Sequence, residues 1–166
     1  QLAGTVDTPQ DWKMCGRCKQ AFYCGKACQV EHWKRGGHKL ACKAPMACCI
    51  CLDTDGPPLP IQCGCACRGE AGCAHIACKI AYAKHQGPGY HAGWSVCPTC
   101  KQGYTGPMQL GLAEALWARH RRKPARNQDR LAAQNLLAAA YVTQGREAEA
   151  AELFREILVV FQRLVG

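Results

Sequence analysis

The chain has 166 residues, of which 15 are cysteine, 21 basic and 12 acidic, for a formal net charge of +9. Cysteine at this density marks either a disulfide scaffold or a metal protein, and an odd count leaves a thiol outside any set of intramolecular disulfides. No secretory signal opens the chain, and no apolar run approaches the roughly 20 residues of a membrane span, which argues against a membrane partner. We read an intracellular, reducing setting, cytoplasmic or nuclear. The first residue is Gln1, which predicts a fragment or a processed product.

A short N-terminal segment, residues 1–14, precedes the first cysteine–histidine cluster, Cys15-x2-Cys18-x5-Cys24-x3-Cys28-x9-His38-x3-Cys42. Cysteine pairs a few residues apart suit tetrahedral zinc, because two thiolates can grip one ion from a single turn. The pairs Tyr23-Cys24, Cys28-Gln29, His32-Trp33 and His38-Lys39 accompany the cluster. Over residues 15–42 the stretch resembles a MYND finger. The resemblance implies a module that binds proline-containing peptides without catalysis, with Cys15, Cys18, His38 and Cys42 on one zinc. It also implies an upstream Cys-x2-Cys pair, where this chain reads Ala-Gly-Thr-Val-Asp at residues 3–7. Cys24 and Cys28 are thereby left as half of a fourth site, which Asp7 or His32 could complete. Otherwise they are plain thiols. Cys28 and His32, four apart in a short helix, share a face, although His32 reads better as support beside Trp33.

The middle of the chain carries Cys48-x2-Cys51-x13-Cys65-x-Cys67-x7-His75-x2-Cys78-x18-Cys97-x2-Cys100. Eight ligands make two complete tetrahedral sites. The spacing, over residues 46–105, resembles the RING-CH zinc finger. That family's arrangement is cross-braced: Cys48, Cys51, His75 and Cys78 on one zinc, and Cys65, Cys67, Cys97 and Cys100 on the other. Cys49, Cys63 and Cys73 are surplus, and Cys63-x-Cys65 is an alternative register for the second pair. Some members of the family are ubiquitin ligases, which hold a charged ubiquitin-conjugating enzyme and form no covalent intermediate. The resemblance implies a docking surface for that enzyme at Ile50, Tyr82, Pro98 and Lys101. The alternative is a non-catalytic adaptor. Cys97-Pro98-Thr99-Cys100 could also suggest a redox pair, but nothing around it reads as a βαβ unit. Pro57-Pro58-Leu59-Pro60 is a stiff spacer. Three filled sites would bring the net charge to about +5, because bound thiols are deprotonated. That modest balance does not argue for nucleic acid.

Cysteine disappears after Tyr104 and Ala and Leu take over. Gly106-Pro107 opens a linker helix over 106–124, with Pro at a position that needs no N–H. Met108, Leu112, Ala115 and Leu116 repeat at helical spacing, and Pro124 stops the helix. The basic run Arg119 to Lys123 reads as a solvated helix end. Residues 125–166 read as an antiparallel helical hairpin around Gln144-Gly145. Leu131, Leu137, Ala138 and Tyr141 lie on the first helix, and Ala150, Phe154, Ile157, Phe161 and Leu164 form the apolar stripe of the second. The hairpin resembles one tetratricopeptide repeat of the kinesin-light-chain type, on Leu137, Ala138, Tyr141, Gly145, Ala150 and Phe154. Such a repeat implies a protein-recognition surface; since one repeat cannot bury its own face, either further repeats continue the array or the helix from Met108 packs on the pair as a cap.

The expected fold is therefore two zinc-stabilised fingers of ββα type with little regular structure, followed by an all-α tail and sharing no large core. Three Zn2+ ions are expected and a fourth is possible. The expected function is a RING-CH-type E3 ubiquitin ligase that recruits protein substrates through its other modules, with a zinc-binding scaffold as the alternative. A chelator is expected to unfold residues 15–101 and spare the tail.

Overall fold

The computed structural model describes residues 12–18, 20–44, 46–54, 58–87 and 91–165. The chain divides into two compact units, Gln1–Pro45 and Met46–Gly166.

In the first unit, β1 (Lys13–Met14) pairs antiparallel with β2 (Phe22–Tyr23), placing Met14 opposite Phe22. Two helices follow, α1 (Lys26–Lys34) and α2 (His38–Ala41). The core is Cys15, Cys18, Tyr23 and Cys42, with Ala21 and Trp33 packed against it. Three of those four core residues are candidate ligands, so the apolar area available to hold this unit is far below what a domain needs to fold unaided. Gly37 takes φ +74° and turns the chain between the helices. That turn starts α2 at His38 and lets the Cys42 N–H bond the His38 carbonyl at 2.7 Å.

The second unit opens with another ββα arrangement. β3 (Ile61–Gln62) pairs antiparallel with β4 (Cys73–Ala74), and α3 (Ile76–His85) follows. The all-α part comprises α4 (Gly106–His120), α5 (Gln128–Thr143) and α6 (Glu147–Val165).

The helix expected as a linker sits in the middle of this unit. Met108, Leu112 and Leu116, four residues apart, are fully buried on one face of α4. They share a core with Cys48, Cys63, Ala74, Ala83, Trp94, Cys97 and Tyr104. On another face Ala113, with Leu110 and Trp117, packs with Leu137 and Ala140 of α5. At Gly111 a Cβ would lie 2.7 Å from Ile76 Cγ2, so a glycine lets α4 approach α3 this closely. The expectation of small modules without a shared core therefore fails for residues 46–166. The reason is that α4 is apolar on two faces, one for each neighbour.

Two further expectations are corrected. α4 stops at His120, short of Pro124. Lys123, the residue before proline and therefore disfavoured in helix, turns instead to pair with Asp129 at 2.6 Å. Arg130 in α5 donates to the Lys123 carbonyl at 2.8 Å and lies over the Trp117 ring. In α6 the apolar stripe is rotated. Ala150 is buried and Leu153, Ile157 and Val160 are half-buried, while Phe154 and Phe161 are 41% and 50% exposed. The Leu164 side chain lies outside the described residues. Asn127 caps α5 by accepting from the Arg130 N–H at 3.2 Å. Gly145, at φ +71°, makes the turn into α6.

Candidate metal centres

Three groups of four ligand atoms each lie within 4.8 Å of one another: Cys15, Cys18, His38 and Cys42; Cys48, Cys51, His75 and Cys78; and Cys65, Cys67, Cys97 and Cys100. A zinc ion about 2.3 Å from each sulfur would set neighbouring sulfurs roughly 3.8 Å apart, with nitrogen–sulfur edges slightly shorter. The observed edges have that size. Cys15 and Cys42 sulfurs are 3.7 Å apart and those of Cys67 and Cys97 are 3.8 Å apart. His38 presents Nε2, at 3.4 Å from Cys15 and 3.7 Å from Cys18. His75 presents Nδ1, at 3.3 Å from Cys51 and 3.6 Å from Cys78. The donor sets, the separations and the tetrahedral count fit Zn2+ at three sites.

The backbone explains how the ligands meet. α2 brings His38 to Cys42 within one turn. His75 caps α3, which places Cys78 one turn on. The Cys48–Cys51 and Cys97–Cys100 pairs sit on matching tight turns, closed by Leu52 N–H to the Cys48 carbonyl at 2.8 Å and Lys101 N–H to the Cys97 carbonyl at 2.9 Å. Leu52 and Lys101, the residues just after each pair, take φ +63° and +60° and are the described non-glycine residues at positive φ. Along the chain the second unit's pairs alternate between its two sites, so each ion ties segments that the other also spans. Gly64 lies inside this frame at φ +71°, with no room for a Cβ against the Thr105 backbone.

The thiols divide in their readiness to ionise. Backbone N–H groups, led by that of Cys18, lower Cys15 to about 6. Those of Gln102 and Ala66 bring Cys100 to about 6 against the effect of burial. At Cys48 burial acts upward, yet donors from Cys51, His75 and Ile50 together outweigh it and bring the thiol to about 6. Their neighbours move the other way. Burial, then the adjoining thiols, push Cys42 up to about 11 and Cys67 and Cys78 up to about 12. Each group thus sets a thiol that backbone donors make easier to ionise beside one that burial and neighbouring thiols make harder to ionise, and a divalent ion offsets both effects.

Of the surplus cysteines, Cys63 and Cys73 are buried core residues, and burial raises both, Cys63 to about 12. Cys49 is half-buried against the same core. The structure puts Cys67, not Cys63, with Cys65 in the third group. His32 is held by other contacts: its Nδ1 is 3.1 Å from the Tyr23 hydroxyl and its ring stacks on His38 at 4.8 Å. Cys24 and Cys28 are exposed and join no third candidate ligand among the described residues. Asp7 and Pro57 lie outside the described residues.

Tyr82, Pro98 and Lys101 line one shallow cleft with Ala92, Gly93, Val96 and Cys97. Ile50 is 41% exposed and does not line that cleft. Sequence reasoning passed over Lys79. This lysine, next to the ligand Cys78, is only 6% exposed and holds its ammonium 5.5 Å from the centre of the buried Tyr104 ring. A lysine between Cys78 and Ile80 in α3 gives no sequence signal of burial.

Tetrads of this kind on small ββα frames define a zinc-finger protein. The first finger is a MYND finger: the family model of that name matches residues 6–42. Relatives match over similarly short stretches. N-lysine methyltransferase SMYD2 of Gallus gallus is 61% identical over 33 residues, 20% of this chain and 7% of its own length. The same enzyme of Homo sapiens is 62% identical over 32 residues, 19% of this chain and 7% of its length. Ubiquitin carboxyl-terminal hydrolase 19 of Arabidopsis thaliana is 58% identical over 31 residues, 19% of this chain and 4% of its length. The chain thus spans less than a tenth of the curated relatives it matches. No solved structure matches.

Proposed function

We propose that this chain brings proteins together through its zinc fingers, and that its second unit acts as a RING-CH-type E3 ubiquitin ligase inside the cell. The observation that carries the ligase reading is the cleft. Tyr82 comes from α3, and Pro98 and Lys101 come from the last ligand pair, yet all three line one surface. A charged conjugating enzyme docked there would meet an aromatic ring, a proline and a lysine within hydrogen-bonding reach of the bound ubiquitin. Lys101 is held by its positive φ in the turn that also carries Cys97 and Cys100, so the zinc positions it. No side chain acts as a nucleophile in this reading. The fingers supply a rigid surface, and transfer follows from the geometry imposed on the thioester.

The first unit supplies partner recognition. Trp12, Met14 and Phe22 are exposed on or beside its two-stranded sheet, an apolar patch suited to an extended, proline-containing peptide. We read the α5–α6 hairpin as one tetratricopeptide-type repeat and a further recruiting surface. No described helix is long and apolar enough to cross a membrane.

A scaffold without ligase activity is the second reading. It is favoured by the family match, which covers the MYND finger alone, and by Ile50 standing outside the cleft. Discharge of ubiquitin from a panel of charged conjugating enzymes separates the two. Zinc-loaded protein is expected to accelerate discharge from at least one enzyme, and Ile50→Ala and Lys101→Ala are each expected to lower that rate about tenfold or more, equivalent to 1.4 kcal/mol. No acceleration by protein that retains its zinc establishes the scaffold.

A further inference from the structure

The geometry points to Cys24 and Cys28 as a reversible dithiol–disulfide pair, a redox-responsive site in the first unit separate from the zinc tetrads. Three observations carry it. The two sulfurs are 2.8 Å apart. In the tetrads, neighbouring sulfurs stand at 3.7 and 3.8 Å, the edge a zinc ion sets. This pair is therefore about an ångström too close for such an edge, and it needs to close by less than that to reach the roughly 2.05 Å of a disulfide. Second, no other cysteine, histidine or acidic residue among the described residues completes a metal group around it. The candidates nearest in sequence are engaged elsewhere: Glu31 pairs with Arg35 at 3.2 Å, and His32 meets Tyr23 and His38. Third, both thiols are exposed. Cys28 opens on a broad surface groove of about 760 Å3 lined by Ala27, Glu31, His32, Arg35 and Gly36. The tetrad cysteines of the first unit are buried by contrast.

The exchange uses a low-molecular-weight disulfide such as oxidised glutathione. One protein thiolate attacks a sulfur of that disulfide and expels a glutathione thiolate, leaving a mixed disulfide on the protein. The second protein thiolate attacks the protein sulfur of the mixed disulfide and expels the other glutathione thiolate. One S–S bond is lost and one is formed. The two protons of the protein thiols end on two glutathione thiols, and two electrons pass to the oxidant. The new bond closes the entry to α1 across Gly25. It ties the residue after Tyr23 to the turn before His32, the two side chains that back the ligand His38.

The test is equilibration of the zinc-loaded full chain in glutathione redox buffers, followed by acid quenching, alkylation and peptide mapping, with zinc counted by native mass spectrometry. The expected result is one disulfide linking Cys24 to Cys28, loss of the mass of two hydrogens, three zinc ions retained, and full reversal by dithiothreitol. Cys24→Ser and Cys28→Ser are each expected to stop at a single bound glutathione while keeping three zinc ions. The wild-type result decides the matter even if a variant loses metal. A fourth zinc that shields both thiols from alkylation would overturn the proposal. So would oxidation that starts at tetrad cysteines with zinc release, or two thiols that each take glutathione and never pair.

Discussion

Removing zinc with a strong chelator is expected to unfold α4 together with the segments that hold the metal. Structural zinc supplies on the order of 10 kcal/mol of folding free energy per site. The first unit has no reserve against that loss, because Cys15, Cys18 and Cys42 are both its ligands and most of its core. In the second unit the ligands Cys48 and Cys97 lie in the same core as Met108, Leu112 and Leu116. Once Cys48 and Cys97 leave, one face of α4 is exposed to water. Each large apolar side chain uncovered there costs about 1.5–3 kcal/mol. What remains is a hairpin of two helices resting on half a partner. Hydrogen exchange reads this directly: after chelation, amides of residues 108–120 should exchange as fast as those of α3. Protection of α4 that survives zinc removal would show the helical part standing alone, as the sequence suggests.

Leu112→Ala is expected to act on metal binding from a distance. The side chain is fully buried in the core that includes Cys48 and Cys97, and it is not itself a ligand. Truncating a buried leucine costs about 2–5 kcal/mol. Because the folded second unit is what holds its ligands in place, that cost reappears as weaker zinc retention, on the order of tenfold or more for its two sites together. The MYND-finger site lies in the other compact unit and should be unchanged. Zinc release against a competing indicator measures both in one titration. Equal zinc retention by Leu112→Ala and wild type, in protein of lowered thermal stability, would sever α4 from the metal sites.

The metal centres were readable in the chain because coordination demands particular atoms at particular spacings. His38 and Cys42 need one helical turn between them, and so do His75 and Cys78, and few residue types provide such donors. Packing of α4 on the α5–α6 pair was open to a sequence reading; its other face, toward the zinc-holding core, was not. Its Met108, Leu112 and Leu116 advertise one stripe, while Leu110, Ala113 and Trp117 form the second, and a search for one amphipathic face stops at the first. In α6 two stripes with the same three-and-four spacing run side by side. Periodicity says that a stripe exists, but packing against α5, including Gln134 donating to the Leu153 carbonyl at 3.3 Å, selects the one with Leu153 and Ile157. Lys79 was missed for a different reason: the lysine is buried with its ammonium over the ring of Tyr104, 25 residues on, and nothing local to α3 records that. For Cys24 and Cys28 the sequence leaves half a zinc site and a free pair equally open; the distance between the sulfurs, their exposure and the ligands near them are visible in the fold alone.

Counting zinc in the intact chain by native mass spectrometry tests the architecture most directly. Three ions per chain are predicted for the wild type, and two for Cys18→Ser, which breaks the MYND-finger tetrad alone. A wild-type count below three, or tetrad cysteines recovered as disulfides from protein purified under reducing conditions, would contradict it.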